Sequence, residues 1–292
     1  MRYFVSTYSQ KHSFILTNRT YNAKVLLLGE FTIIDGGCAL AIPFPGFSGH
    51  WKSGGHGSSL TAFFEYLRSL PFIDTNKVQY AIDEKYEFES TIPKGYGLGS
   101  SGALSAACLD AFGLEKTEST DKLKFMLSEI ESFFHGKSSG LDPLTSYINK
   151  PLLVSDDSVS VCQQPLDLAN FHLYDSEKNR NTRKLVNIYN QKKVDPGFKT
   201  MLSVLNKYNH ALISAIINKE NVSAWMKKIS RLQLECFPEM IPNDLVSTWR
   251  YGLESDQYYM KLSGAGGGGF FLLFNNSRNA LSFDNKLLSL KS

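Results

Sequence analysis

The chain has 292 residues, of which 42% are hydrophobic and 20% are charged, and its net charge is +3. This apolar content supports a packed core and excludes global disorder, and the length predicts one large domain or two of ordinary size. The small net charge argues against a nucleic-acid-binding protein. A basic cluster at residues 178–184, with Arg180 and Arg183 inside it, is interpreted as a solvated loop because no aromatic residue is interleaved with it.

The cysteines predict a reducing environment. None of Cys38, Cys108, Cys162 and Cys236 has the spacing of a metal site, so free thiols are expected. The N-terminal residues contain no uninterrupted apolar segment typical of a signal peptide, and no apolar run approaches the ~18 residues of a membrane span. We therefore expect a soluble cytoplasmic protein.

The first part of the chain predicts a hairpin-rich sheet followed by helices. Apolar runs separated by an Asp-Gly-Gly turn predict strands at 25–28, 31–34 and 38–42. Helical spacing predicts a helix over 60–70, and alternation predicts a strand over 78–90. A buried helix is predicted over 103–112, ending at Gly113.

The remaining elements continue in mixed order. A helix is predicted at 122–134 and a short strand at 151–154. Further strands are predicted within 159–175 and at 269–274, and helices at 197–218, 221–236 and 242–254. The character of the predicted elements changes from about residue 156. We therefore expect a domain boundary near residue 155, which divides the chain into residues 1–155 and 156–292.

The stretch 93–103, Pro-Lys-Gly-Tyr-Gly-Leu-Gly-Ser-Ser-Gly-Ala, predicts a phosphate-binding loop. Its alternating glycines, Gly95, Gly97 and Gly99, permit positive φ and close approach of a ligand to the backbone. Ser100 and Ser101 then open a helix, whose N-terminal N–H groups and dipole favour an anion. A serine-capped helix after a flexible turn is the alternative interpretation.

Two other phosphate motifs fit poorly. The Walker A pattern ending at Gly136-Lys137-Ser138 requires a glycine where the chain has Glu131. The dinucleotide pattern GxGxxG occurs at 97–102 and 264–269, but a second helix follows the first match and a strand follows the second. Both matches are weak evidence for a nicotinamide site.

Three separated motifs, taken in order, resemble those of the GHMP kinase superfamily. They are Lys-Val-Leu-Leu-Leu-Gly-Glu at 24–30, which runs on to the Asp-Gly-Gly turn, then 93–103, then Lys-Leu-Ser-Gly-Ala-Gly-Gly-Gly-Gly at 261–269. The segment 131–142 is similar to the HGxPSGxD pattern of the mevalonate kinases within that superfamily. The chain departs from the pattern at Phe31, where many members have His or Tyr, at Gly102 in place of alanine, and at Ser138 in place of proline.

The resemblance implies an α+β fold with the two-domain GHMP kinase architecture. The N-terminal part would be of the ribosomal S5 domain 2-like type and the C-terminal part ferredoxin-like, with ATP and substrate between them. A small-molecule substrate, ATP and Mg²⁺ are the implied ligands. Neither nucleic acid nor a membrane is expected as a partner, and a homodimer stays open as an assembly state.

The resemblance also assigns residues to roles. Asp142 would be the general base and Lys24 its catalytic partner, while Ser101 and Glu131 would bind Mg²⁺. The implied ATP and phosphate contacts are Pro93, Gly95, Gly97, Leu98, Gly99, Ser100, Ser101, Gly102, Gly264, Gly266 and Gly267. The implied substrate contacts are Glu30, His135 and Ser139, with structural roles as the alternative for Glu30 and His135, and a turn-shaping role for Ser139.

The function implied is ATP-dependent phosphorylation of a small hydroxy acid, with mevalonate as the first candidate. Phosphomevalonate or a sugar is an alternative substrate within the superfamily. A catalytically silent metabolite sensor on the same fold is an alternative of a different class. The joint presence of Lys24, Ser101, Glu131 and Asp142 argues against the sensor.

Overall fold

The computed structural model describes residues 18–55, 60–155 and 158–291. The strands are β1 Tyr21–Leu28, β2 Ala39–Lys52, β3 Glu87–Ser90, β4 Leu152–Ser155, β5 Ser158–Val161, β6 Phe171–Asp175, β7 Tyr258–Lys261, β8 Phe270–Asn275 and β9 Leu287–Ser289. The α-helices are α1 Thr61–Arg68, α2 Thr75–Asp83, α3 Ser100–Phe112, α4 Thr120–His135, α5 Leu141–Ile148, α6 Thr182–Lys192, α7 Pro196–Ile217, α8 Ser223–Cys236 and α9 Asn243–Ser255. Short 3₁₀ helices lie at Thr32–Asp35, Pro238–Met240 and Asp284–Lys286.

The strands form two antiparallel sheets. The first has the order β1-β2-β4-β5 with β3 also paired to β2, and the second has the order β7-β8-β6-β9. Helices and antiparallel sheets together confirm the α+β class. A boundary near residue 155 stays a prediction, and β5, just beyond it, pairs with β4 in the first sheet.

Helix α3 is the central helix of the first half. Almost every residue from Gly102 onward is buried, and many are small, so neighbouring helices approach α3 closely. A Cβ added at Gly102 would lie only 2.9 Å from the backbone nitrogen of Pro143 in α5. The absence of a side chain at Gly102 therefore leaves room for the first turns of α3 and α5, which carry Ser101 and Asp142, to lie close together.

Most predicted elements are confirmed. Strands β1, β2, β4 and β8 and helices α1, α3, α4, α7, α8 and α9 fall where periodicity placed them. The predicted stretch 159–175 contains two strands, β5 and β6, separated by a connection. Among the helices of the described residues, none combines the length and apolar character needed to cross a membrane.

The predicted strand at 31–34 is wrong. Phe31 adopts a positive φ of 62°, and a 3₁₀ helix follows at Thr32–Asp35. Positive φ is strained for a bulky residue, so surrounding contacts must maintain it. The Phe31 ring stacks on Tyr189, with centroids 4.7 Å apart, and on Phe237 at 5.3 Å.

Two further predictions need correction. The stretch 78–90 is not one strand, because α2 occupies its first half and only β3 is extended. The cap Asp74 accepts hydrogen bonds from the N–H groups of Asn76 and Lys77, and this starts the helix. The basic cluster at 178–184 is not wholly a loop, since Asn181 caps α6 by accepting a bond from the Lys184 N–H.

Candidate functional site

The glycine-rich stretch borders a cavity of about 520 Å³ that also reaches α5 and α6. Its lining residues are Pro93, Gly95, Gly97, Leu98, Gly99, Ser100, Ser101, His135, Lys137, Asp142, Arg180, Thr182, Arg183, Val186 and Asn187. Most of the predicted phosphate-binding residues therefore share one cavity with the predicted base. Gly102 lies behind it, packed against α5.

Lys24 and Asp142 form an ion pair, with 2.7 Å between Lys24 Nζ and Asp142 Oδ1. Lys24 lies in β1, and its backbone N–H donates to the Leu98 carbonyl at 2.9 Å, which ties the strand to the glycine-rich stretch. Asp142 lies in the first turn of α5, where the helix dipole favours a carboxylate. The Lys24 side chain is 7% exposed and the Asp142 side chain is 35% exposed. The carboxylate is therefore accessible from the cavity, while its ammonium partner is buried.

A second carboxylate, that of Glu131 near the end of α4, is buried in a network of hydroxyl groups. Ser101 Oγ donates to Glu131 Oε1 at 3.1 Å, and Ser138 Oγ donates to Glu131 Oε2. His135 Nε2 lies 3.0 Å from Ser101 Oγ. Burial first, and the charge of Asp142 second, raise the pKa of Glu131 to about 7.

Ser101 and Glu131 fit a Mg²⁺ ion by the chemistry of their donors. Mg²⁺ prefers hard oxygen ligands and usually completes its shell with phosphate oxygens and water. The Ser101 hydroxyl and a Glu131 carboxylate oxygen lie 3.1 Å apart beside the cavity that Ser101 lines, and they match that preference. No cluster of three or more His, Cys, Asp or Glu able to hold a metal occurs in the described part of the chain.

The alternating glycines adopt the backbone that the sequence predicted. Gly95, Gly97 and Gly99 have φ values of +81°, +80° and +72°. Gly99 immediately precedes α3, so the glycine-rich loop ends at the N-terminus of a helix. The first N–H groups of a helix lack partners within the helix, and here they lie beside the cavity.

Arg180 is a site residue that sequence reasoning missed. Its guanidinium donates to the Ser263 carbonyl at 2.9 Å and lies against Gly97 and Gly264. Burial lowers its pKa, and the charge of Asp142 opposes that shift. A signal was present in the sequence, because Asn181 is a good cap and Leu185, Ile188 and Tyr189 have helical spacing after it.

The third glycine motif packs against the site from the other side. A Cβ at Gly269 would lie 2.7 Å from the Tyr96 carbonyl oxygen, and one at Gly264 would lie 3.1 Å from the Arg180 guanidinium. Gly266 and Gly267 lie against Met240 and Leu185. None of the three predicted contacts in this motif, Gly264, Gly266 and Gly267, lines the cavity.

The three predicted substrate residues occupy different positions. The Glu30 side chain is fully buried in an ion pair with Lys261, so a substrate contact would need a rearrangement. His135 lines the cavity and contacts Ser101. Ser139 does not line it, and its hydroxyl accepts a bond from the Leu141 N–H at 3.4 Å.

Residues 64–150 match the family described as GHMP kinases N terminal domain. No curated protein sequence matches the chain.

Solved structures resemble the chain over nearly its whole length. Mevalonate kinase of Methanococcus jannaschii has a TM-score of 0.65 and 17% identity, covering 95% of this chain and 97% of that one. Phosphomevalonate kinase of Streptococcus pneumoniae, in complex with phosphomevalonate and AMPPNP, has a TM-score of 0.66 and 15% identity, with 93% and 98% covered. Galactokinase of Lactococcus lactis, complexed with galactose, has a TM-score of 0.60 and 14% identity, with 91% and 87% covered. Residues 64–150 thus match the GHMP kinase N-terminal domain model, and the chain as a whole has the fold of these solved kinase structures.

Proposed function

We propose that this protein phosphorylates a hydroxyl group of a small anionic molecule with ATP, and that mevalonate is the first candidate substrate. The observation that carries the proposal is the Lys24–Asp142 pair, 2.7 Å apart beside a glycine-rich loop at a helix N-terminus. A phosphoryl-transfer site needs a phosphate cradle, neutralising charge and a proton acceptor for the attacking hydroxyl. These groups supply all three.

Asp142 has one oxygen suited to the proton. Oδ1 holds Lys24, whereas Oδ2 lies on the side of Gly99, 3.5 Å from where a Cβ at that glycine would be. We assign the hydroxyl proton of the substrate to Oδ2. The ammonium group of Lys24 then stabilises the negative charge that develops on the attacking oxygen.

The nucleotide phosphates would lie along Gly95–Ser101 at the start of α3, with Ser101 and Glu131 as the residues that hold Mg²⁺. When bound, the ion would neutralise negative charge on the phosphate groups. The chain's own residues would orient the reactants, because the glycine-rich loop and the first residues of α3 line the cavity, and a helix N-terminus favours an anion.

Charge in the cavity favours an anionic acceptor. Arg180, Arg183 and Lys137 line it, and Asp142 is the single acidic residue among its lining residues. The ATP phosphates would neutralise part of this positive charge, and a carboxylate or phosphate group on the acceptor would neutralise more of it. Mevalonate and phosphomevalonate both meet this requirement, whereas a neutral sugar does not.

The test is ADP release with mevalonate, phosphomevalonate and galactose, repeated with Asp142→Asn. We expect turnover with an anionic acceptor, and a fall in kcat of about 10²–10⁴-fold in the variant, the usual contribution of a general base. Asp121→Asn is the matched control, because Asp121 also lies in the first turn of a helix and is exposed away from the cavity.

The outcomes separate the hypotheses. Turnover that survives Asp142→Asn would remove Asp142 from the role of base. Turnover with galactose alone would reject an anionic acceptor. Tight ATP or metabolite binding without turnover on any acceptor would identify a silent sensor instead of a kinase.

A further inference from the structure

Ser138 makes two hydrogen bonds that join separate parts of the site. Its hydroxyl donates to Glu131 Oε2, and it accepts a bond from the backbone N–H of Gly140 at 2.9 Å. In the mevalonate kinase pattern this position is a proline, whose side chain can make neither bond. The contacts are therefore specific to a departure of this chain from that pattern.

The direction of both bonds follows from the groups involved. A backbone N–H only donates, so the Ser138 oxygen must accept from Gly140. The single hydroxyl proton of Ser138 is then directed to the carboxylate of Glu131. Ser101 binds the other oxygen of the same carboxylate at 3.1 Å, so two serines from different segments fix the orientation of Glu131.

Gly140 links this carboxylate to the predicted base. It has φ +74° and is the residue before α5, which carries Asp142 in its first turn. A Cβ at Gly140 would lie 2.4 Å from the Lys124 carbonyl oxygen, so the turn packs directly on α4. One hydroxyl group thus connects the α4 carboxylate with the start of the helix that presents Asp142.

We propose that Ser138 is a positioning residue that aligns the Glu131 carboxylate for metal–nucleotide binding and couples it to the α5 turn that carries Asp142. The proposal rests on the proposed kinase function for the identity of the ligand. Without the hydroxyl, Glu131 Oε2 stays buried but loses its bond, and an unpaired buried carboxylate oxygen is costly. The carboxylate would then turn away from its alignment with Ser101.

The experiment compares Ser138→Ala with Ser138→Thr, which keeps the hydroxyl group. Mn²⁺ binding to the protein–ADP complex is measured from the electron paramagnetic resonance signal of free Mn²⁺, a readout that needs no turnover. Removing a residue that orients a metal ligand typically costs 10–100-fold in affinity, so we expect about a tenfold weaker Mn²⁺ affinity in Ser138→Ala. Ser138→Thr should recover most of it, and kcat should follow affinity while KM for the acceptor changes little.

Ser132→Ala is the matched control. Ser132 follows Glu131 in α4, and its hydroxyl donates to the Ser128 carbonyl at 2.7 Å. It should leave Mn²⁺ affinity unchanged, and thermal melts should show that all the variants fold.

Equal Mn²⁺ affinity in Ser138→Ala and Ser132→Ala would overturn the proposal. So would a loss that Ser138→Thr fails to rescue, because the turn and not the hydroxyl would then be responsible, or the absence of any Mn²⁺–ADP binding. If Mn²⁺ binding behaves as expected but no acceptor is phosphorylated, the proposed function fails while the positioning role stands.

Discussion

Glu131 is a buried acid whose proton is held more tightly in the folded chain than in the unfolded one. Its pKa rises from 4.5 to about 7 because burial disfavours the carboxylate and Asp142 adds a like charge, while bonds from Ser138 and Ser101 oppose the shift. Between these two values the folded state binds more protons than the unfolded state. The free energy of unfolding of the metal-free protein therefore decreases as pH rises through this window.

The Glu131→Gln variant tests whether the free energy of unfolding decreases as pH rises. We expect the variant to be more stable than the native protein at pH 8 by about 1–3 kcal/mol, because the amide never ionises. The gain should shrink as pH falls toward 4.5, where the native carboxyl is also neutral. Urea unfolding in EDTA at several pH values measures it, and a gain that does not vary with pH would contradict the assignment.

At the level of secondary-structure elements, the start of α6 is joined to the glycine-rich loop by the Arg180 guanidinium. That group lies over Gly97, where a Cβ would approach it to 2.0 Å. The same guanidinium bonds Ser263 of the third glycine motif at 2.9 Å. One side chain therefore contacts the loop and the third motif from the segment that precedes α6.

Two glycine substitutions separate backbone strain from this contact. Gly95 and Gly97 have nearly equal φ values of +81° and +80°, but a Cβ at Gly95 would meet only Asn179, at 3.7 Å. Both Gly95→Ala and Gly97→Ala should lose about 1–2 kcal/mol of stability from the left-handed backbone. Only Gly97→Ala displaces Arg180, so we expect its kcat/KM to fall at least about tenfold below that of Gly95→Ala, equivalent to ~1.4 kcal/mol.

Steady-state kinetics and thermal melts of the two variants provide the comparison. Equal kcat/KM values would show that Arg180 adapts without consequence.

At the scale of the whole molecule, a buried ion pair joins the two sheets. Glu30 follows β1 in the first sheet, and Lys261 ends β7 in the second. Lys261 Nζ donates to Glu30 Oε1 and to the carbonyls of Leu27 at 2.9 Å and Leu262 at 2.8 Å. Desolvation raises the pKa of Glu30 and lowers that of Lys261, and their mutual attraction opposes both shifts.

Removing one member of this pair should be worse than removing both. Lys261→Met leaves a buried acid without its partner, and we expect a loss of about 3–5 kcal/mol in the free energy of unfolding. Glu30→Leu combined with Lys261→Met should recover part of that loss, although two carbonyls remain without their donor. A double-mutant cycle by chemical unfolding measures the coupling, and strictly additive losses would show that the pair does not couple the sheets.

The sequence by itself determined the local features of the site. Alternating glycines permitted positive φ, Ser100 and Ser101 marked a helix start, and apolar periodicity located most helices. These signals are readable because φ preferences and helical spacing depend only on neighbours in the chain. The motif resemblance then singled out Lys24, Glu131 and Asp142, which the fold brings to one region.

Only the tertiary structure decided how distant segments meet. A 3₁₀ helix follows Phe31 where the sequence predicted a strand. The Phe31 ring stacks on Tyr189 and Phe237, which lie far along the chain. Arg180 changed from part of a solvated loop to a guanidinium packed against two glycine motifs. Glu30 forms a buried ion pair with Lys261, and Ser138 donates a hydrogen bond to the Glu131 carboxylate. Such contacts follow from packing between elements, and periodicity within one element carries no information about which side chain will lie opposite it.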